Sequence, residues 1–239
     1  MHIRPKAWAR PELDASPFFI NQPTHYARHW QDSFKKVQPL SVELGCGKGG
    51  FIASLAHQNP QINFLAVDLI DAVLGLAKRN IEDVYQNDPI DNCRLTAYDI
   101  RSIDQILKSD DAVQSLYINF CNPWPKHRHH KKRLTHPRQL QLYRQFLAPS
   151  GQIHFKTDND ALFEDSLLYF KEMGFMIKIL IRDLHAAQLP HNIETEHEKM
   201  FSAQNIKINY ACVTIDSSFD PKTIPIQYAI DHSKYLSNQ

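Results

Sequence analysis

The sequence predicts an α/β fold: a mostly parallel sheet with helices on both faces. Three observations carry this. From residue 40 to about 183, strand-like apolar runs alternate with helix-like amphipathic stretches. The first of those strands runs into a glycine-rich turn, Gly45-Cys46-Gly47-Lys48-Gly49-Gly50, a common opening of ligand-binding βα units. And 239 residues make one well-buried α/β domain but not comfortably two.

Seven strands are expected, over residues 41–44, 63–67, 94–97, 115–120, 151–156, 175–181 and 207–215. Helices are expected over 51–57, where Ile52, Leu55 and Ala56 share a face, and over 71–85, where Val73, Ala77, Ile81 and Val84 form an apolar stripe. A third helix spans 137–147. A fourth opens on a cap at Asp158 or Asn159, buries Phe163, Leu167 and Phe170, and stops at Gly174. Residues 1–38, rich in Pro, His and aromatics with weak periodicity, read as a flexible N-terminal arm that orders only on a partner. Residues 39–216 form the domain, and 217–239 a C-terminal extension.

Composition narrows the class. A content of 43% hydrophobic and 22% charged residues is that of an ordinary soluble domain. The apolar runs are strand-sized, well short of the roughly 20 residues that span a bilayer. No apolar stretch follows the first basic residues, which predicts no secretory signal. Cys46, Cys93, Cys121 and Cys212 are scattered without a CxxC pair, which argues against a zinc site and a disulfide framework and suits a reducing cytoplasm. Net charge is only +1. Its distribution matters more, because Lys126-His127-Arg128-His129-His130-Lys131-Lys132-Arg133 contains no acid and can act as a local phosphate-binding patch.

In such a sheet, chemistry belongs in the loops that follow the strands. A glycine turn alone is weak evidence, since Gly45 and Gly47 serve tight structural turns equally well. Asp68, ending the next strand, stands where a carboxylate meets a ribose, an arrangement that nicotinamide-dependent oxidoreductases share. Glu43, before the glycines, suits the ammonium or sulfonium of S-adenosylmethionine but not a pyrophosphate. Asp99, after the third strand, suits an adenine amino group and suits a helix N-cap equally. After the fourth strand, Asn122-Pro123-Trp124-Pro125 fixes a loop at the pocket mouth, directly before the basic run. That run, with Trp124 before it and His136 and Arg138 after it, suits phosphates and stacked bases. The segment 192–198, Asn-Ile-Glu-Thr-Glu-His-Glu, reads as caps or turns. A metal reading through His191, Glu194, His197 and Glu198 lacks the second histidine of HExxH, so no metal is expected.

The chain resembles the bacterial tRNA (guanine-N7)-methyltransferase family. The similarity covers residues 38–212 and rests on ELGCGKGGF, NPWPKHRHHKKRLTHPR, HFKTDN and NIETEHEKMFS, in that order. It implies a Rossmann-like class I methyltransferase fold with a mostly parallel seven-stranded sheet, and S-adenosylmethionine as cofactor, bound at Glu43, Gly45, Gly47, Asp68, Asp99 and Asn122. It implies substrate contacts at Lys126, Asp158, Thr195, Glu196, His197 and Glu198, and tRNA contact along Arg128, His129, His130, Lys131, Lys132 and Arg133. The implied target is a guanosine of the tRNA variable loop. Oligomeric state stays open between monomer and homodimer. Many family members carry Glu where this chain has Asp68, and Asp where it has Asn122. The second departure removes a carboxylate beside the reacting centre, so Asn122 and Asp158 are expected to position groups, not to act as general bases. Three alternatives remain: another nucleic-acid N-methyltransferase, a nicotinamide-dependent oxidoreductase, and a catalytically silent tRNA-binding relative.

Overall fold

The computed structural model describes residues 4–190 and 192–224. His191 and the C-terminal extension from 225 onward lie outside the described residues. The expected alternation is present. Strands β1 (Phe19–Ile20), β2 (Leu40–Leu44), β3 (Asn63–Asp68), β4 (Cys93–Ala97), β5 (Val113–Asn119), β6 (Leu147–Thr157), β7 (Phe175–Ile181) and β8 (Asn209–Ile215) form one sheet in the order β1-β4-β3-β2-β5-β6-β8-β7. All pairings from β1 to β6 are parallel, and β8 runs antiparallel between β6 and β7.

The count is eight strands, not the seven expected. The extra one, β1, is two residues long, too short to give a period-two signal. It is held by the backbone of Leu95 donating to Phe18 (2.9 Å) and by Thr96 Oγ1 donating to the Ile20 carbonyl (2.8 Å). It comes from the segment set apart as an arm. That segment is packed onto the domain: Trp30 is fully buried, its indole donates to the Ile106 carbonyl (2.6 Å), and its backbone N–H donates to Asp111 (3.2 Å).

Helices α2 (Gly50–Gln58) and α3 (Asp71–Tyr85) cover one face of the sheet, and α4 (Pro137–Phe146) and α5 (Asp160–Glu172) the other. A short first helix, α1 (Ala9–Asp14), lies against α3. Strand β3 shows why both faces need cover: Phe64 and Ala66 join the core under α2 and α3, while Leu65 and Val67 join the core under α4 and α5. Asn159 caps α5 by accepting from the Leu162 N–H (2.8 Å), and Gly174, at φ +69°, follows its end.

The strand order reverses at β2, which lies between β3 and β5. A crevice opens at the carboxyl ends of strands at such a reversal, and this places the glycine turn after β2 beside the loop after β5. Trp30→Ala should lower the unfolding free energy by about 3–5 kcal/mol, the usual loss for a fully buried large aromatic. Urea unfolding would measure this, and an unshifted midpoint would make residues 4–38 a detachable arm.

Candidate active site

The turn after β2 is shaped by three glycines with left-handed backbone: Gly45 (φ +77°), Gly47 (φ +54°) and Gly49 (φ +74°). At Gly49 a Cβ would stand 2.7 Å from that of Ala77, so only glycine lets α3 approach; at Gly47 the same direction is open space. The N–H groups of Gly45 and Cys46 both reach the Val67 carbonyl (2.8 and 3.2 Å), and Gly47 N–H donates to Asp68 (3.1 Å). The folded turn borders a cleft of about 410 Å³ that Glu43, Asn119, Phe120, Thr195, Glu196 and His197 also line.

Glu43 is buried at the inner end of this cleft. Its Oε1 accepts from Asn119 Nδ2 (3.0 Å), and its Oε2 has no hydrogen-bond partner among the described residues. Burial pushes its carboxyl up to about 7; the Asn119 hydrogen bond opposes the rise, nearby Asp68 adds to it, and Lys156 counteracts it. A desolvated acid with one free oxygen suits a cationic ligand group and repels a pyrophosphate. Asp68 uses both oxygens locally, accepting from Gly47, Leu69 (2.7 Å) and Ile70 (3.1 Å). Burial raises its carboxyl, and these three N–H groups hold the rise back. Glu43 and the glycine turn thus fit the amino-acid end of S-adenosylmethionine, with Asp68 bracing the turn.

The segment 192–198 closes the cleft from the other side. After the one-turn helix α6 (Leu184–Ala187), helix α7 (Glu196–Ser202) opens with a reciprocal cap: Thr195 Oγ1 accepts from Glu198 N–H (2.9 Å), and Glu198 accepts from Thr195 N–H (3.4 Å). Glu198 is fully buried and paired with Lys156 (2.9 Å), a lysine of β6 itself only 6% exposed. Asn192 bonds both, and Lys156 also donates to the Ile193 carbonyl (3.0 Å). Thr195, Glu196 and His197 therefore face the cleft, and His197 stacks on Phe120 (5.6 Å between ring centroids). Glu198 is a structural anchor beneath them. Among the described residues no group of three or more His, Cys, Asp or Glu is arranged to hold a metal ion.

Other expected residues stand apart from the cleft lining. Asp99 acts as the cap, accepting from Arg101 N–H (2.9 Å) and from its guanidinium, which holds the Asp99 carboxyl below its ordinary value. Asp158 is exposed beyond β6, in an open hollow with Arg182, Lys207 and Asn209. Asn122 is exposed, and its carbonyl oxygen accepts from Trp124 N–H (3.0 Å), holding a loop in which Phe120 (φ +49°) and Trp124 (φ +42°) both take left-handed backbone. Lys126 is exposed at the start of a short 3₁₀ helix, His127–Lys132.

The structure divides the basic run. Arg128, Lys131 and Lys132 are exposed, and His129 and His130 half-buried. The Lys132 ammonium lies over the Trp124 ring (4.7 Å), and His129 meets the edge of that ring (5.7 Å). Arg133 is buried, donating to Asp165 (2.6 Å) and the Pro123 carbonyl (2.7 Å), with His130 at 3.0 Å. It secures the proline loop and is not part of the exposed surface. Sequence reasoning missed Asn119, Asn192 and Lys156, as well as Lys6, which reaches the cleft mouth from the N-terminal segment. Only Lys156 left a signal, as the one Lys or Arg in a strand where Gln152, His154 and Lys156 alternate with Ile153 and Phe155.

The sequence matches the family described as "Putative methyltransferase" over residues 37–211. A tRNA (guanine-N(7)-)-methyltransferase of Clostridium beijerinckii is 52% identical over 91% of this chain and 100% of its own length. The chain belongs to the tRNA (guanine-N7)-methyltransferase family. A second member, from Clostridium perfringens SM101, is 53% identical over 88% of this chain and 97% of its own. Among solved structures the 16S rRNA methyltransferase KamB superposes with a TM-score of 0.56 at 12% identity, covering 78% of this chain and 92% of its own; that likeness shows the fold.

In this family member the state of Glu43 is measurable without ligand. Between its ordinary 4.5 and about 7, the folded protein holds a proton that the unfolded chain has released. Stability is therefore lost as pH rises through that window, by about 3 kcal/mol at order of magnitude. Glu43→Gln cannot titrate, so its stability relative to the parent should grow by that amount between pH 4.5 and pH 8 in urea unfolding. A difference that stays flat with pH would mean Glu43 is not desolvated.

Proposed function

We propose that this protein transfers a methyl group from S-adenosylmethionine to N7 of a guanosine in the variable loop of tRNA. The observation that carries the reading is the buried Glu43, with one free oxygen at the inner end of a glycine-turn cleft, in a family whose closely similar relatives are named tRNA (guanine-N(7)-)-methyltransferases. Four free cysteines suit the reducing cytoplasm as its location.

When bound, S-adenosylmethionine supplies an electrophilic methyl carbon on a sulfonium. Glu43 receives the cationic amino-acid end, the turn at Gly45 and Gly47 admits the ligand to the backbone, and Asp68 meets the ribose while bracing that turn. Asp99 and Asn122 act at the rim. Guanine N7 presents a lone pair with no proton to remove, so no general base is required. The protein's work is to align N7 with the methyl carbon and exclude water; such orientation is worth roughly 7–11 kcal/mol. Thr195, Glu196 and His197 approach the base from the closing segment, and the exposed Asp158 and Lys126 are further substrate contacts outside the cleft. Asn122 in place of Asp keeps the acceptor that holds Trp124 N–H, and loses only a negative charge. The exposed Arg128, Lys131 and Lys132, with Trp124 beside them, follow the tRNA backbone.

Two experiments test this reading. Incubated with radiolabelled S-adenosylmethionine and unmodified tRNA, the protein should produce N7-methylguanosine on nucleoside analysis, and Asp68→Ala should weaken cofactor binding far more than tRNA binding. Label in another nucleoside, or none, sinks the assignment. Separately, replacing Arg128 and Lys131 with Gln should reduce the slope of log affinity against log salt by about two units, similarly for different tRNAs. An unaltered slope would make the helix a solvated surface.

A further inference from the structure

The closing segment rests on one side chain. Lys156 Nζ has three hydrogens and three acceptors: Asn192 Oδ1 (2.6 Å), Glu198 Oε2 (2.9 Å) and the Ile193 carbonyl (3.0 Å). Asn192 completes the ring by donating to Glu198 Oε1 (2.7 Å). The anchored residues bracket Thr195, Glu196 and His197, which line the cleft. On its other side the same ammonium lies 5.6 Å from the centre of the Phe51 ring, on the first turn of α2 after the glycines. One lysine therefore touches both walls of the cleft.

A buried ion pair is a poor source of stability, since well-packed apolar residues of similar volume serve as well or better. What an apolar pair lacks is direction. Three hydrogen bonds from a fixed ammonium set the position of the Ile193 backbone, the Asn192 side chain and the first turn of α7 together. We infer that Lys156 is a positioning residue for the reaction: it holds residues 192–198 against β6 so that Thr195 and Glu196 meet the target base while Glu43 meets the cofactor. Lys156 itself does not line the cleft. The inference rests on the proposed function for the identity of that base.

The test uses the full chain and two variants, Lys156→Met and Lys156→Met combined with Glu198→Met. The second removes the carboxylate that the first leaves without its counter-ion, so an effect shared by both is not due to a lone buried charge. S-adenosylhomocysteine affinity by calorimetry should stay within about threefold of the parent, whereas kcat/KM for unmodified tRNA should fall at least about tenfold. Amide exchange should accelerate at least about tenfold in residues 192–202 and stay unchanged in residues 40–58. Any result in which local exchange and tRNA kinetics fail to change together overturns the inference. So does loss of cofactor affinity accompanied by faster exchange across the whole sheet, the mark of an ordinary core residue. A parent protein that binds cofactor yet leaves tRNA unmodified sinks the functional reading instead; local exchange and cofactor affinity then still decide whether Lys156 holds the loop.

Discussion

Burying the carboxylate of Glu43 costs free energy that one hydrogen bond from Asn119 recovers only in part. The surroundings are arranged around that deficit. Asp68, close enough to raise Glu43 further, is bound by three backbone N–H groups, so the turn carries two acids at once. Lys156, on β6 two strands from β2, opposes the rise least of all the influences on Glu43. The glycines are required because the turn must fold back on Val67 and Asp68 while α3 presses against it at Ala77. A desolvated acid with one oxygen unbonded favours a cationic partner, because such a partner restores what burial removes.

Much of this was legible in the sequence, for definite reasons. Helix α3 and strand β7 have the bounds that their patterns give, because the one carries a long apolar stripe and the other an apolar run ended by glycine and charge. The cap of α5 is expected at Asp158 or Asn159, and Asn159 fills it. What stayed hidden depends on partners far along the chain. Glu198 and Lys156 are 42 residues apart, and no local pattern separates a glutamate that faces a ligand from one that anchors a loop. The basic run reads as uniform, yet Asp165 on the neighbouring helix takes Arg133 out of it. Strand β1 is too short for any period. Asp99 supported two readings from the start, and the local bond to Arg101 meets the simpler one.

The proline loop shows how its shape is fixed without a charge at Asn122. The bond from Trp124 N–H needs a side-chain carbonyl oxygen, which Asn122 and an aspartate both offer. Left-handed backbone at Phe120 and Trp124 is unfavourable for bulky residues. It is held by this bond, by Arg133 on the Pro123 carbonyl and by Lys132 over the indole. The loop's geometry is thereby over-determined, and its electrostatics are free to vary.

The position of β8 bears on how the chain acquires this site. The last strand of the sheet is inserted between β6 and β7, so β7 has no neighbour, and β6 an open edge, until residues 209–215 have left the ribosome. From the completion of β6 until β8 emerges, the nascent chain carries a partial sheet with backbone donors and acceptors exposed along β6. Pairing across the long separation between β6 and β8 is the slow kind of step in folding, and the segment 192–198 can settle only alongside it. The glycine-turn wall of the cleft is thus encoded in the early half of the chain and the closing segment in the late half. A truncated or stalled translation product has the first without the second.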